Sequence, residues 1–248
     1  MGVPRFIGLQ NYVTLFSPDS RFGHTLLVTF LFTIINVSVT IIFSLILALL
    51  LNLNVRFKGL FQFFYYVPTI MPSVVMASCM ILMFNQQLGI VDYVMKLLGI
   101  KNPPNWTGSQ SLVWVVIAVA SVFTFQTGQQ MLVFSAALKD VPRDLYEAAS
   151  IDGANAWVRF WRITIPGIAP MLLFNTVSAT VNSFNGAFTL LFPLTGGGPG
   201  DATKVMSLLI YDNAFKSFNM GYASALAVVL FIIVAIVGTV QFRLMDKN

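Results

Sequence analysis

Five stretches of this chain are apolar for long enough to cross a lipid bilayer, and that decides the class of structure open to it. They run over residues 25–51, 61–84, 112–137, 167–192 and 222–242. A helix needs about 20 consecutive apolar residues to span the hydrocarbon core. Within lipid, a helix also satisfies its own backbone polar groups. None of the five stretches carries Asp, Glu, Lys or Arg in its middle third. Only 9% of the 248 residues are charged, against roughly 25% in soluble domains. The sequence therefore predicts an all-α polytopic membrane protein with five transmembrane helices, organised as one membrane domain over residues 1–248.

The most charged stretch interrupts the apolar pattern between the third and fourth spans, over residues 140–166. It reads as two short helices. Asp140 is placed to cap the first, whose opening turn tolerates Pro142, and Asp144 and Glu147 lie near the positive end of its dipole. Gly153 stops that helix. The second carries Trp157, Phe160 and Trp161 beside Arg159 and Arg162 until Pro166 ends it. A pair of this kind lies on a membrane, with the aromatic side expected to anchor it to the rest of the domain.

The same stretch carries a family resemblance. Glu147, Ala148 and Ala149, then Gly153 after three residues, then Ile163 after nine more, followed by Thr164, Ile165 and Pro166, resemble the EAA signature of permease subunits in binding-protein-dependent ABC importers. Ile165 stands where that signature has Leu, a conservative departure. Residues 6–12, Phe-Ile-Gly-Leu-Gln-Asn-Tyr, and the Leu194-Thr195-Gly196-Gly197-Gly198-Pro199 string resemble further hallmarks of the carbohydrate (maltose-type) group and of its first permease. All fall in family order.

The resemblance implies the ABC importer type I permease fold, with residues 140–166 forming a cytoplasmic coupling-helix loop. In it Glu147, Ala148, Ala149, Gly153, Ile163 and Pro166 would serve docking onto an ATPase. It also implies a homologous second permease, an ABC ATPase dimer that binds the ATP and Mg²⁺, an extracytoplasmic solute-binding protein and a sugar cargo. The chain itself would hold no cofactor.

Lys and Arg set the orientation. Arg56, Lys58, Lys139, Arg143, Arg159, Arg162, Arg243 and Lys247 are dense in short loops on one side. Arg5, Arg21, Lys96, Lys101, Lys204 and Lys216 are spread over longer loops on the other. The positive-inside rule makes the first side cytoplasmic, so the EAA loop and the C-terminus are expected in the cytoplasm of a bacterial or archaeal cell. The N-terminus then lies outside without a leader to carry it there. Permeases of the resembled group usually have one more apolar helix ahead, and the sequence leads us to expect that this first helix is absent here.

Several functions are excluded or disfavoured. No G-x-x-x-x-G-K-[ST] loop is present, so ATP is not bound by that route. Without intramembrane ionisable groups a proton-coupled secondary transporter is disfavoured. A membrane enzyme would need clustered catalytic or metal-ligating side chains, and the chain has one Cys, Cys79, and one His, His24. The net charge of +5 needs no nucleic acid, since basic residues suit cytoplasmic loops.

What the spans contain instead is neutral hydrogen-bonding groups. In the third span Gln126, Gln129 and Gln130 lie near the middle, with Val122 one turn before them. In the fourth, Thr176, Thr180, Ser183, Phe184 and Ala187 follow helical spacing, flanked by Asn175, Asn182 and Asn185. Amides, hydroxyls and aromatics suit a sugar, which offers hydroxyls and apolar faces without charge. The candidate pathway is Val122, Gln126, Gln129, Gln130, Thr180, Asn182, Ser183, Phe184, Asn185 and Ala187. The same side chains could instead hold helices together. A glycerol phosphodiester is the alternative cargo, although a phosphate would call for Arg or Lys in the path. Pro68 and Pro72 predict a kink in the second span.

Overall fold

The computed structural model describes residues 6–17, 21–53, 57–123 and 125–245; Arg5, Arg56 and Lys247 of the orientation pattern lie outside them. A short lead-in helix α1 (Gln10–Leu15) precedes α2 (Phe22–Asn52), the longest with 31 residues. Then follow α3 (Lys58–Ile70), α4 (Ser73–Met83), α5 (Ile90–Leu97), α6 (Val113–Val122) and α7 (Phe125–Asp140). The EAA stretch forms α8 (Arg143–Ile151), then α9 (Ala156–Arg159), a π-helical turn (Phe160–Thr164) and α10 (Ile165–Gly167). The last elements are α11 (Ala169–Leu194), α12 (Met206–Tyr211), a second π-helical turn (Asp212–Lys216) and α13 (Met220–Met245).

Two of these helices, α2 and α13, are individually long and apolar enough to cross a membrane; three bent pairs bring the candidate spans to five. Each bend has a local cause or site. Between α3 and α4 the direction changes by 100°, well beyond the kink expected from two prolines. Pro68 is accommodated inside α3. Pro72 is what breaks the helix, because the residue before a proline is pushed out of the helical region, and Met71 has φ −67°, ψ 141°. The third span is likewise two helices, α6 and α7, bent by 49°, and Val122 ends the first of them.

Helix α2 is the hub against which α6, α7 and α11 pack. Its inward face is polar and regularly spaced: Thr25, Thr29, Thr33, Asn36, Thr40 and Ser44 are all buried. Most of these hydroxyls are satisfied within the helix. Thr29, Thr33, Thr40 and Ser44 each donate to the carbonyl four residues back, at 2.6–2.9 Å. Thr29 also accepts from the backbone N–H of Met206 at 2.8 Å, which ties α12 to α2.

Apolar clusters lie at both ends of the bundle. One joins Val28, Phe32, Met80, Ile117 and Leu191, with Trp106 and Phe188 against it. The other joins Ala48, Phe134, Leu138, Val141 and Ile168, with Tyr146 and Ile163 against it, and so seats the EAA stretch.

Two expectations for that stretch are corrected. Asp140 does not cap α8; it is the last residue of α7, and Pro142 occupies the N-cap position with no side-chain cap. Nor does Pro166 end the second helix. It sits in the first turn of α10, where a missing N–H costs little, and the 70° break falls at Ile168.

Close approach of α3 and α7 rests on Gly128: a Cβ there would lie 2.4 Å from Oγ1 of Thr69, a buried side chain. Gly128→Val is expected to lower the unfolding temperature of the detergent-purified protein, at an overpacking cost of about 1–3 kcal/mol. Gly238→Ala, inside α13 where a Cβ meets nothing within 4 Å, is expected to leave it unchanged or raise it slightly in the same thermal scan, since Ala is the better helix former.

Candidate functional site: a neutral polar cleft between the third and fourth spans

Midway between the two apolar clusters the packing turns polar. Asn36 donates to Ser121 Oγ at 2.9 Å, joining α2 to α6, and the Ser44 hydroxyl, which donates within α2, lies 3.3 Å from the Gln130 side-chain amide of α7. Gln126, Gln129, Gln130, Asn175, Ser178 and Asn182 line a cleft of about 390 Å³, with Tyr66 and Phe174. Next to it is a smaller one of about 120 Å³, bounded by Asn36, Ser73, Gln126, Asn182, Ser183 and Thr189. Gln126 and Asn182 belong to both. Among the described residues, no charged side chain lines either.

Two groups in these walls have unspent hydrogen-bonding capacity. Asn175 Nδ2 and Ser183 Oγ are buried and have no partner. An unpaired polar group out of water is costly; both atoms are enclosed by the packing behind the cleft surface. The cleft is not closed by this chain, since Gln129, Phe174 and Asn182 remain exposed along one side.

The remaining pathway candidates fall elsewhere. Thr180 and Phe184 turn to the other side of α11, where with Thr176, Phe30 and Gln241 they line a separate groove. There Gln241 Nε2 donates to Thr180 Oγ1 at 3.0 Å, fastening α13 to α11. Ala187 is packed in the apolar cluster, Asn185 is exposed, and Val122 is half-buried at the end of α6. Sequence reading missed Asn36, Tyr66, Ser73 and Ser178. Asn36 had a usable signal, being the one amide side chain in the first span.

On the EAA stretch, Glu147, Ala148 and Gly153 are exposed and Ala149 is half-buried. Gly153 has φ +76°, a conformation that a side chain disfavours. Ile163 packs inward, and Tyr146 Oη lies 3.0 Å from Thr164 Oγ1, locking α8 to the helix that follows. Pro166 is exposed.

Residues 40–248 match the family described as "Binding-protein-dependent transport system inner membrane component". The chain belongs to that family. This inner membrane component is a transport subunit, a permease, rather than an enzyme. It is 33% identical to "Probable ABC transporter permease protein YesP" of Bacillus subtilis over 97% of this chain and 77% of that protein. It is 34% identical to "sn-glycerol-3-phosphate transport system permease protein UgpA" of Agrobacterium fabrum, over 98% of this chain and 82% of that one. Identity to "Trehalose/maltose transport system permease protein MalF" of Thermococcus litoralis is also 34%, covering 92% and 76%. In fold it matches a chain of the crystal structure of a bacterial ABC transporter involved in the import of the acidic polysaccharide alginate. The TM-score is 0.85 at 21% identity, over 98% of this chain and 84% of that one. The resemblance carried by the EAA stretch, and the all-helical importer fold it implied, both hold.

At the opposite end of the permease from the EAA loop, a chain of ion pairs fixes the Gly-rich turn. Arg21 pairs with Asp201 at 3.3 Å, Lys204 with Asp201 at 3.7 Å and with Asp212 at 2.7 Å, and Lys216 with Asp212 at 2.7 Å. Partial burial pushes the Asp212 carboxyl up, but hydrogen bonds and charge from Lys204 and Lys216 outweigh it and hold it below the usual value. A depressed carboxylate stabilises the fold above its unfolded pKa of about 4, and that contribution is lost as pH falls through the folded value. Lys204→Met removes one partner. It is expected to lower the unfolding temperature near neutral pH and to move the onset of acid unfolding to higher pH, as read by thermal scans across a pH series.

Proposed function

We propose that this chain is one of two homologous permeases that together enclose the translocation path of an ATP-driven importer, and that its cargo is a neutral sugar or oligosaccharide. The observation that carries the cargo reading is the uncharged cleft around Gln126, Asn182 and Ser183, with aromatic Tyr66 and Phe174 beside it. Such walls match hydroxyls and apolar sugar faces. Its volume of about 390 Å³ falls in the usual range for small-molecule sites, about 300–1,000 Å³. The open side, marked by exposed Gln129, Phe174 and Asn182, supports the need for a second permease to complete the wall.

In this reading α8 docks on an ABC ATPase dimer through exposed Glu147 and Ala148. The EAA loop and the C-terminus face the cytoplasm, as the Lys and Arg pattern favours. An extracytoplasmic binding protein delivers cargo to the opposite face. The Tyr146–Thr164 contact and the apolar seat beneath α8 make the loop stiff enough to carry ATPase closure into α7 and α11. Likeness to UgpA keeps a glycerol phosphate as the second reading, but among the described residues the cleft offers no Arg or Lys to a phosphate.

The deciding experiment is reconstitution of the chain with its neighbouring permease and ATPase in lipid. ATP hydrolysis is measured with the cognate binding protein and candidate sugars or glycerol phosphates. Stimulation by a sugar-loaded binding protein is the expected result; stimulation by a glycerol phosphate alone favours the second reading. Asn182→Ala is expected to raise the KM for uptake several-fold. Gly153→Val is expected to cut stimulated uptake about tenfold or more while insertion is unchanged, and Gly153→Asn to retain more, because Asn tolerates positive φ.

A further inference from the structure

We infer that the outward face of the helix Ala156–Gly167, built from Trp157, Phe160, Trp161, Arg159 and Arg162, is a lipid-binding surface seated in the headgroup layer of an anionic membrane. The sequence led us to expect these aromatics to anchor the loop inward. Instead Trp157 is 69% and Trp161 51% exposed. Their rings pack on one another, with centroids 5.7 Å apart, and Phe160 lies 6.3 Å from the first and 5.2 Å from the second. The inward contacts of this helix are made by other residues: Ile163 packs on the apolar seat and Thr164 is buried.

Three features select lipid as the occupant. The helix meets α11 at 70°. Since α11 belongs to a membrane span, the helix lies across the end of that span, at the depth of the headgroups. Its ring cluster has the chemistry of the interface, where indoles place an apolar body in the acyl boundary and an N–H toward water. Charge in the loop is also segregated. Asp144, Glu147 and Asp152 lie on or beside α8 with Arg143 the one base among them, whereas Ala156–Gly167 carries Arg159 and Arg162 and no acid. Basic side chains flanking an aromatic cluster fit phosphate headgroups on an anionic surface; the acidic α8 does not.

The consequence is mechanical. Arg159 Nη1 donates to Ser150 Oγ at 2.8 Å, so the lipid-bearing helix and α8 are tied together directly as well as through Tyr146. Bilayer contact thereby sets the depth at which α8 is presented. This inference rests on membrane placement alone, so a wrong cargo leaves it standing, and its own failure leaves the cargo reading standing.

The test is Trp fluorescence of the assembled importer in phosphatidylcholine–phosphatidylglycerol vesicles, with and without bromine on the upper acyl carbons. Subtracting the Trp157→Phe/Trp161→Phe variant isolates these two rings; if that variant fails to assemble, Trp157→Phe alone serves. Brominated lipid is expected to reduce the difference signal about twofold or more, as for rings at the headgroup boundary. Arg159→Gln/Arg162→Gln is expected to abolish the stronger quenching in phosphatidylglycerol over pure phosphatidylcholine. A difference signal untouched by brominated lipid overturns the inference. Aqueous iodide then distinguishes rings left in water, which it quenches, from rings covered by the ATPase, which it does not.

Discussion

Everything in this bundle depends on how α2 meets its neighbours. In hydrocarbon no solvent repairs an unmet hydrogen bond, so a polar side chain at a helix contact must find its partner within the protein. The inward edge of α2 solves this with hydroxyls that bond their own preceding turn. That leaves the contact narrow enough for α6, α7 and α11 to pack against one helix. Single hydrogen bonds between membrane helices contribute only about 0.6 kcal/mol on average. The Asn36–Ser121 hydrogen bond and the polar contact of Ser44 with Gln130 therefore act mainly by fixing rotational setting and register. Once α2 holds its neighbours in that setting, the amides of α7 and α11 have no choice but to face each other.

The broad plan was legible in the residues because it rests on runs and spacings. Long uncharged apolar segments specify membrane helices, and the EAA spacing specifies a small-residue helix followed by a turn at Gly153. Facing was legible in α2, whose Thr, Asn and Ser recur at helical spacing, but not in α11, where polar residues stand on more than one side. Thr180 and Asn182 are two positions apart, yet one is fastened to Gln241 and the other opens on the cleft. The breaks were only partly legible: Pro72 announced its bend, but the interruption between α6 and α7 has no Gly or Pro to mark it. Trp157 and Trp161 misled for a related reason, since indoles are equally at home in a core and at a headgroup boundary.

The EAA stretch shows how a surface element can be both presented and restrained. Its small residues and Glu147 lie on the outside, where a partner can approach. Beneath them Val141, Tyr146, Ile163 and Ile168 bind the loop to the ends of α7 and α11. The π-helical turn over residues 160–164 keeps the second half of the loop continuous with α10, and the Tyr146–Thr164 and Arg159–Ser150 contacts bridge the turn at Gly153. Motion imposed on α8 is thus passed to two spans together, which is what a shared rigid seat requires.

The neutral amides that line the cleft, Gln126, Gln129 and Asn182, bear on selectivity. On the proposed reading, any solute entering the cleft trades its hydration for contacts of nearly the same strength, since hydroxyl-to-amide and water-to-amide hydrogen bonds differ little in net free energy. A passage lined in this way holds its traveller loosely. Residence would be short and release unhindered, and discrimination among similar solutes would be made before the membrane is reached, by whatever protein hands the solute over.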